Sequence, residues 1–171
     1  ETAIQYNIGC LLDQPLRHIF WKHLRLQTDV YYNTVHGKIV AYPKGQQFRW
    51  TMLNLGRVHI TGVDAEGEIA VKPCSDLTLT TRLQYTYQQA QDVSSPSASY
   101  YRHQIPYIPW HSGSAIVTTT WKGWTLNYSF IYTGERYNQP ENTAYNYMPA
   151  WYTSDLSLTC AFRWRTTRWK L

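Results

Sequence analysis

The stretch Leu77–Gln88, with the sequence LTLTTRLQYTYQ, decides the fold because its two alternating sets of side chains differ sharply. One set reads Leu, Leu, Thr, Leu, Tyr, Tyr, and the other reads Thr, Thr, Arg, Gln, Thr, Gln. A repeat of two residues predicts an extended strand with one apolar face and one polar face. The stretch is longer than the usual soluble strand of about five or six residues, and its apolar set ends in tyrosines. We therefore predict a strand of a transmembrane β-barrel, with lipid on one face and water on the other.

The composition of the chain agrees with this interpretation. Its 171 residues include 15 tyrosines and eight tryptophans, side chains that favour membrane–water interfaces. Hydrophobic residues reach 43%, yet they are dispersed, and no run of about 18 apolar residues is present. The sequence therefore excludes a membrane-spanning helix. It does not exclude membrane-spanning strands, because these give only a weak hydropathy signal.

The net charge of +5 raises the question of a nucleic-acid partner. The basic residues do not cluster on a helix, and their one local concentration is Arg163, Arg165, Arg168 and Lys170. We interpret that group as a solvated turn and predict no nucleic-acid partner. Anionic lipid headgroups are a further candidate partner for the basic charge.

Alternation predicts seven strands along the chain. They cover residues 4–12, 23–40, 52–71, 77–88, 114–121, 124–132 and 152–164, and another strand begins as the sequence ends. In the third strand the apolar set changes parity at Gly62, which predicts a β-bulge there.

The predicted connections alternate in length. Those after the second, fourth and sixth strands are long, at 42–50, 89–111 and 134–149, whereas Lys122-Gly123 predicts a tight turn. Bacterial outer-membrane barrels have short periplasmic turns and long outer loops. The alternation of long and short connections therefore predicts that the second, fourth and sixth strands run outward.

The predicted inward face is strongly polar. Its members are Asp64, Glu66, Glu68, Arg82, Gln84, Asn127 and Arg163. A wide, hydrated lumen suits this set better than the filled interior of an eight-stranded barrel. We therefore expect residues 1–171 to form one domain that is part of a longer barrel wall.

Several segments, taken in order, carry a resemblance to a known family. They are DVYYNTV at 29–35, KIV at 38–40, NLG at 54–56, ITGVD at 60–64, IPYIP at 105–109 and TGERY at 133–137. Each motif alone is weak, but their order and spacing together are fairly specific. Over nearly its whole length the chain resembles the C-terminal part of the barrel in TonB-dependent outer-membrane receptors.

This resemblance implies an all-β, antiparallel, up-and-down barrel of about 22 strands, of which the chain would supply seven or eight. It implies a place in the bacterial outer membrane and high-affinity uptake of siderophore-bound iron, haem, cobalamin or a glycan. The family's plug domain and TonB box are not in this sequence, so the TonB complex would act through another part of the protein. We predict no enzymatic activity and no cofactor.

Ligand sites of the family lie in the outer loops and the upper lumen, where aromatic and arginine side chains are typical anchors. The candidates here are Trp50, Tyr100, Tyr101, Arg102, His103, Trp110, Arg136, Tyr137 and Asn142. For each of the aromatic candidates the alternative is membership of an aromatic girdle or packing between loops.

The sequence gives little support for a metal site or for catalysis. The six histidines show no zinc-ligand spacing, and the segment 111–114, HSGS, lacks the context of a nucleophile elbow. Asp64, Glu66 and Glu68 could hold a calcium ion with loop oxygens, but we expect them to pair with Arg82 on the adjacent strand. We therefore predict no metal site.

Two other classes of protein fit parts of the pattern. One is a small, self-standing outer-membrane barrel with a structural or adhesive role. The other is a soluble β-barrel or sandwich that binds a lipophilic ligand, which requires the apolar sets to face inward.

Overall fold

The structure is a computed structural model that describes residues 1–44, 49–164 and 167–170, with side chains at all of these except 40, 42–44, 49–51, 53, 163–164 and 167–170. Within that part the strands are β1 (Thr2–Pro15), β2 (Trp21–Lys44), β3 (Arg49–Cys74), β4 (Leu77–Asp92), β5 (His111–Trp121), β6 (Trp124–Thr133), β7 (Arg136–Tyr137), β8 (Tyr147–Met148), β9 (Trp151–Trp164) and β10 (Thr167–Lys170). A 3-10 turn spans Ala144–Asn146. None of the described residues forms a helix long and apolar enough to cross a membrane.

Eight of the strands form one sheet in the order β1-β2-β3-β4-β5-β6-β9-β10, and every neighbouring pair is antiparallel. The order follows the chain except that the small β7–β8 hairpin lies within the connection between β6 and β9. This confirms the predicted all-β, up-and-down fold. Over the described ranges the sheet stays open, with β1 and β10 as its outermost strands.

The second and third strands extend much farther than predicted. They remain paired as far as Lys44 and Arg49, so most of the predicted loop 42–50 is strand, and the prediction of a long connection there was wrong. Residues 45–48 lie outside the described part. Pairing with a neighbour overrides the loop signal of Pro43, which lies opposite Trp50. The other two long connections, at 93–110 and 134–150, are present.

The predicted β-bulge at Gly62 is absent. The pairing of β3 with β2 and with β4 passes Gly62 without a register shift. The apolar residues Val58 and Ile60 therefore share the polar face with Asp64, and they are covered there by Ile105 and Ile108 of the loop after β4. Val58 is 0% exposed, so the change of parity marks the place where the loop after β4 packs against the sheet.

Gly62 has a different role, which is to leave room for an aromatic ring. A Cβ at this position would lie 2.3 Å from Oη of Tyr31 and 2.7 Å from the carbonyl oxygen of Tyr87. The Tyr31 ring therefore lies across the strand in space that any side chain at this position would occupy.

We expect Gly62→Ala to destabilise the folded protein by about 1–2 kcal/mol, since Tyr31 and the β4 backbone must both shift. Urea unfolding of the complete protein in detergent would measure this as a lower midpoint. The matched control is Gly67→Ala on the same strand, where the added Cβ meets only Leu26 Cδ2 at 3.4 Å. Equal midpoints for the two variants would contradict the proposed role of Gly62.

The predicted tight turn at Lys122-Gly123 is confirmed. Both residues have positive φ, 45° and 89°, as a two-residue type I′ hairpin turn requires. Because glycine adopts this backbone without strain, the turn sets the pairing of Trp121 with Trp124.

One face of the sheet is apolar from β1 to β9, as far as side chains are described. The register aligns the apolar sets of neighbouring strands, so that Leu12 pairs with Leu26 and Leu126 pairs with Leu158. Leu83 and Leu158 are 54% and 60% exposed, so this face is not sealed inside a dry core. The soluble-barrel alternative needs the apolar sets to face a sealed interior, and within the described part no such interior covers them.

Aromatic residues border the apolar face at two heights. Near the long loops a tyrosine belt consists of Tyr6, Tyr32, Tyr85, Tyr87, Tyr132 and Tyr152, and near the short turns a tryptophan belt consists of Trp121 and Trp124. Aromatic girdles at both interfaces are typical of transmembrane β-barrels.

Candidate functional site

The opposite face of the sheet carries a continuous polar network that crosses four strands. His23 Nε2 lies 2.7 Å from Asp13 Oδ1, and His23 Nδ1 lies 3.9 Å from Glu68 Oε1. Arg82 Nε donates to Glu68 Oε2 at 2.9 Å. Basic side chains of β2 and β4 therefore pair with carboxylates of β1 and β3 along this face.

The predicted inward-facing residues lie together on this polar face. They are Asp64, Glu66, Glu68, Arg82, Gln84 and Asn127, placed there by alternation and by the register of β3–β6. The predicted pairing of Arg82 with the acidic residues of β3 is confirmed by its contacts with Glu66 and Glu68. The side chain of Arg163 lies outside the described part.

Further hydrogen bonds lie on the same face nearer the long loops and between β5 and β6. Gln84 Nε2 donates to Glu66 Oε2 at 3.3 Å, and Thr86 Oγ1 donates to Asp64 Oδ1 at 2.6 Å. Thr118 Oγ1 donates to the side-chain oxygen of Asn127 at 2.9 Å. The face thus offers a broad surface of carboxylates, amides and hydroxyls.

An open cleft of about 360 Å³ lies in the middle of the polar face. Its polar lining consists of Gln27, Asp29, Asp64, Glu66, Gln84 and Thr86. Within the described ranges, no group of three or more histidine, cysteine or carboxylate side chains is arranged to hold a metal ion. The carboxylates of β3 are instead engaged by arginine, glutamine and threonine side chains of β4.

The connection 93–110, which we call outer loop 1, folds back along the end of β4. Arg102 N donates to Asp92 O at 2.7 Å, and Ile105 N donates to Ala90 O at 2.8 Å. Its residue Ile105 joins Val58 and Ala90 in a buried cluster with Val35 and Leu55. Outer loop 1 is thus a packed part of the fold, held over the end of the polar face.

A buried glutamine locks this loop to the sheet. Gln104 is 1% exposed, and its Oε1 accepts from Ala90 N at 2.8 Å. Its Nε2 donates to Gln88 O at 3.0 Å and to Ile108 O at 3.3 Å. One side chain therefore satisfies three backbone groups that the irregular loop leaves without strand partners.

The connection 134–150, which we call outer loop 2, contains the β7–β8 hairpin. Tyr137 and Tyr147 pack edge to face with ring centroids 5.9 Å apart, and Tyr147 Oη donates to Glu135 Oε2 at 2.9 Å. This hydrogen bond to a carboxylate is the main cause that raises the pKa of Tyr147 above its ordinary value. Burial raises the pKa of Tyr107 in outer loop 1. Both phenols therefore stay neutral hydrogen-bonding groups at physiological pH.

The two outer loops are joined by direct hydrogen bonds. Asn142 Nδ2 donates to Gln104 O at 2.9 Å, and Tyr107 N donates to Tyr137 O at 2.7 Å. Asn142 and Tyr107 both have positive φ, 50° and 65°, a backbone that non-glycine residues rarely adopt. Such strain persists only where surrounding contacts fix it, so the loops meet in a defined arrangement.

The structure sorts the predicted ligand-binding residues into separate groups. Tyr101 and Arg102 line one cleft, whereas Arg136, Tyr137 and Asn142 belong to outer loop 2. Tyr100 and His103 lie in outer loop 1, and Trp110 packs against Tyr87 with centroids 6.4 Å apart. Trp50 lies in β3, and its side chain is outside the described part.

Two residues that stand out in the structure were not singled out from the sequence. Gln104 lies in a polar loop where no pattern distinguishes a buried glutamine from a solvated one. Tyr145 is 99% exposed at the tip of outer loop 2, and its position between two asparagine-containing turns resembles any solvated loop tyrosine. Tyrosine is among the residue types enriched at binding hot spots, which makes Tyr145 a further candidate for ligand contact.

An antiparallel wall with one face for lipid and one for water defines the chain as a segment of a transmembrane β-barrel. A family model described as TonB dependent receptor-like, beta-barrel, matches residues 1–171, which is the whole chain. The chain therefore belongs to the TonB-dependent receptor family, whose barrels serve transport across the bacterial outer membrane. Among the curated proteins compared with it, none matches at a significant level.

Proposed function

We propose that this chain forms part of the wall and outer loops of a transporter that imports a scarce ligand across the outer membrane. The candidate ligands are siderophore-bound iron, haem, cobalamin and glycans. The observation that supports this best is the division of the sheet into an exposed apolar face and a polar network, within a whole-chain family match.

Each part of the described structure has a role in this proposal. The apolar face and its two aromatic belts hold the strands in lipid, and the polar network lines the path of the ligand. The TonB complex supplies energy through a part of the protein outside this sequence.

Ligand capture is assigned to the outer loops. The contact residues proposed are Tyr100, His103, Trp110, Arg136, Tyr137 and Asn142, together with the exposed Tyr145 and with Trp50 near the start of β3. Tyr101 and Arg102 line a separate cleft and are not assigned to the transported ligand. Asn142 also holds the loops together through its Nδ2, so a ligand that contacts it would bear on both loops.

The test is uptake by cells that express the complete protein, supplied in turn with each class of ligand as the limiting nutrient. We expect growth on one class, and loss of that growth when the TonB complex is deleted. Arg136→Ala should weaken ligand binding about tenfold or more, as expected for an arginine anchor. The control Glu141→Ala removes an exposed loop charge with no described partner and should leave binding unchanged.

Either of two results would reject the proposal. One is uptake that persists fully without the TonB complex. The other is growth that is independent of the protein on every class of ligand supplied.

A further inference from the structure

A second polar cleft, of about 450 Å³, opens on the other side of the sheet. Its lining consists of Arg57, His59, Gln89, Gln91, Val93, Tyr101 and Arg102. The lining residues of β3 and β4 have odd numbers, as do Val63 and Tyr87 of the apolar face. Because side chains alternate along an unshifted strand, this cleft lies on the face that borders lipid. We call it the outward cleft.

The outward cleft lies just beyond the tyrosine belt. On β4, Gln89 and Gln91 follow Tyr87 by two and four residues, which places them about 7 and 13 Å farther along the strand. The polar headgroup layer of a bilayer begins where the aromatic belt ends. The cleft therefore lies at the height of lipid headgroups, outside the barrel wall.

Two guanidinium groups border the outward cleft without acidic partners. Arg57 and Arg102 are exposed, and neither forms an ion pair with any carboxylate of the described part. Asp92, whose backbone oxygen accepts from Arg102 N, is 3% exposed, and its Oδ1 accepts from Ser94 N. The charged side chains that line the cleft are therefore both positive.

The backbones that carry the two arginines are held on opposite sides of β4. Val93 N donates to Arg57 O at 2.9 Å, and Arg57 N donates to Ser94 Oγ at 2.8 Å. Arg102 N donates to Asp92 O, and Arg102 O accepts from Gln91 Nε2, both at 2.7 Å. These bonds fix the spacing of the two backbones before any ligand arrives.

Neutral hydrogen-bonding groups also line the outward cleft. Gln89 and Gln91 offer side-chain amides, and Tyr101 offers a hydroxyl next to Arg102, whose guanidinium carbon lies 5.7 Å from its ring centroid. His59 Nδ1 lies 3.3 Å from Oη of Tyr32 in the tyrosine belt, so the cleft is continuous with that belt.

We propose that the outward cleft binds the phosphate of a lipid headgroup in the outer leaflet, with Arg57 and Arg102 as the phosphate ligands. Arginine presents paired donors that match phosphate oxygens, and the amides and hydroxyl suit the sugar or glycerol hydroxyls of a headgroup. A free phosphate would offer the same anion, but the position above the tyrosine belt favours a lipid, whose acyl chains would lie along the apolar face. The inference rests on the membrane orientation of the proposed function, and it concerns a site separate from that of the transported ligand.

The experiment compares the complete protein with Arg57→Gln/Arg102→Gln in lipid nanodiscs that contain a trace of phosphorylated glycolipid. Retention of that lipid on the detergent-extracted protein is measured by native mass spectrometry. We expect the double variant to lose about tenfold or more of the bound lipid, since two charge-assisted contacts are removed. The dephosphorylated form of the same lipid should bind the original protein as weakly as the phosphorylated form binds the variant.

The matched control is Arg17→Gln/Lys22→Gln, which removes the same charge at the opposite end of the sheet. It should retain lipid as the original protein does. Undiminished retention by the Arg57→Gln/Arg102→Gln variant, or an equal loss in the control, would overturn the proposal. So would displacement of the lipid by millimolar inorganic phosphate, since that would identify a free anion as the occupant.

Two further measurements keep this proposal distinct from the transport proposal. Unchanged heat-modifiable migration shows that the double variant is folded, so that a loss of lipid reports the cleft. Lipid binding in a protein that supports no uptake of any ligand would overturn only the transport function. Normal ligand uptake by a protein that retains no lipid would overturn only the proposal that the outward cleft binds a lipid.

Discussion

Replacing Leu83 by arginine is expected to destabilise the membrane-inserted protein by about 2–4 kcal/mol, the cost found for a basic side chain near the middle of a barrel's lipid face. Leu83 is 54% exposed, and it lies opposite Gly67 and Ala115 in the centre of the apolar face. A guanidinium at this position must either leave water for hydrocarbon or distort the surrounding lipid. The measurement is the urea midpoint of the complete protein in lipid vesicles, followed by heat-modifiable migration.

The matched control is Gln84→Arg, at the very next residue of β4. Gln84 points to the polar face, where its side chain contacts Glu66, so an arginine there should be tolerated or slightly stabilising. If the two variants lose equal stability, or if Gln84→Arg loses more, the assignment of the apolar face to lipid is wrong.

Replacing Gln104 by methionine is expected to release outer loop 1 from the sheet. Methionine fills nearly the same volume, but it leaves Ala90 N, Gln88 O and Ile108 O without the partners that Gln104 supplies. Each buried polar group left unpaired costs about 1–3 kcal/mol, and water entering the opened loop recovers part of that. We expect a net loss of about 2–3 kcal/mol in the free energy that holds the loop closed.

Limited proteolysis can measure this loss. Arg102 is an exposed trypsin site within outer loop 1, and cleavage through a fast opening equilibrium follows the population of the open form. A change of about 2 kcal/mol raises that population about 30-fold. The control Gln139→Met alters a loop glutamine whose side chain has no described partner, and it should cleave at the original rate. Equal cleavage of both variants would show that Gln104 does not hold the loop.

The strands of the wall could be predicted because their signal is local. Alternation within Leu77–Gln88 or within β6 reports directly which side chains meet lipid, and all seven predicted strands are present. The prediction at Gly62 failed because the cause was distant. Val58 and Ile60 are apolar on the polar face because Ile105 and Ile108 cover them, a contact that strand periodicity cannot reveal.

The loop arrangement could not be predicted for a related reason. Its decisive contacts are single hydrogen bonds between residues far apart in the chain, such as Asn142 to Gln104 across 38 positions. The outward cleft likewise joins Arg57 of β3 with Arg102 of outer loop 1, and only the register of β4 brings the two together. The residue types alone suggested that the loops bind a ligand. Which side of the wall each residue lies on could be seen only in the structure.

The separation of the two aromatic belts has a consequence for hydrophobic matching. From Trp124 to Tyr132 the strand covers eight residue steps, or about 26 Å, and at the usual barrel tilt this spans about 20 Å of membrane thickness. A typical hydrocarbon layer is about 30 Å thick, and the bacterial outer membrane is thinner than average. The apolar face therefore matches a thin bilayer, and lipids with short acyl chains should surround it with the least deformation of the bilayer.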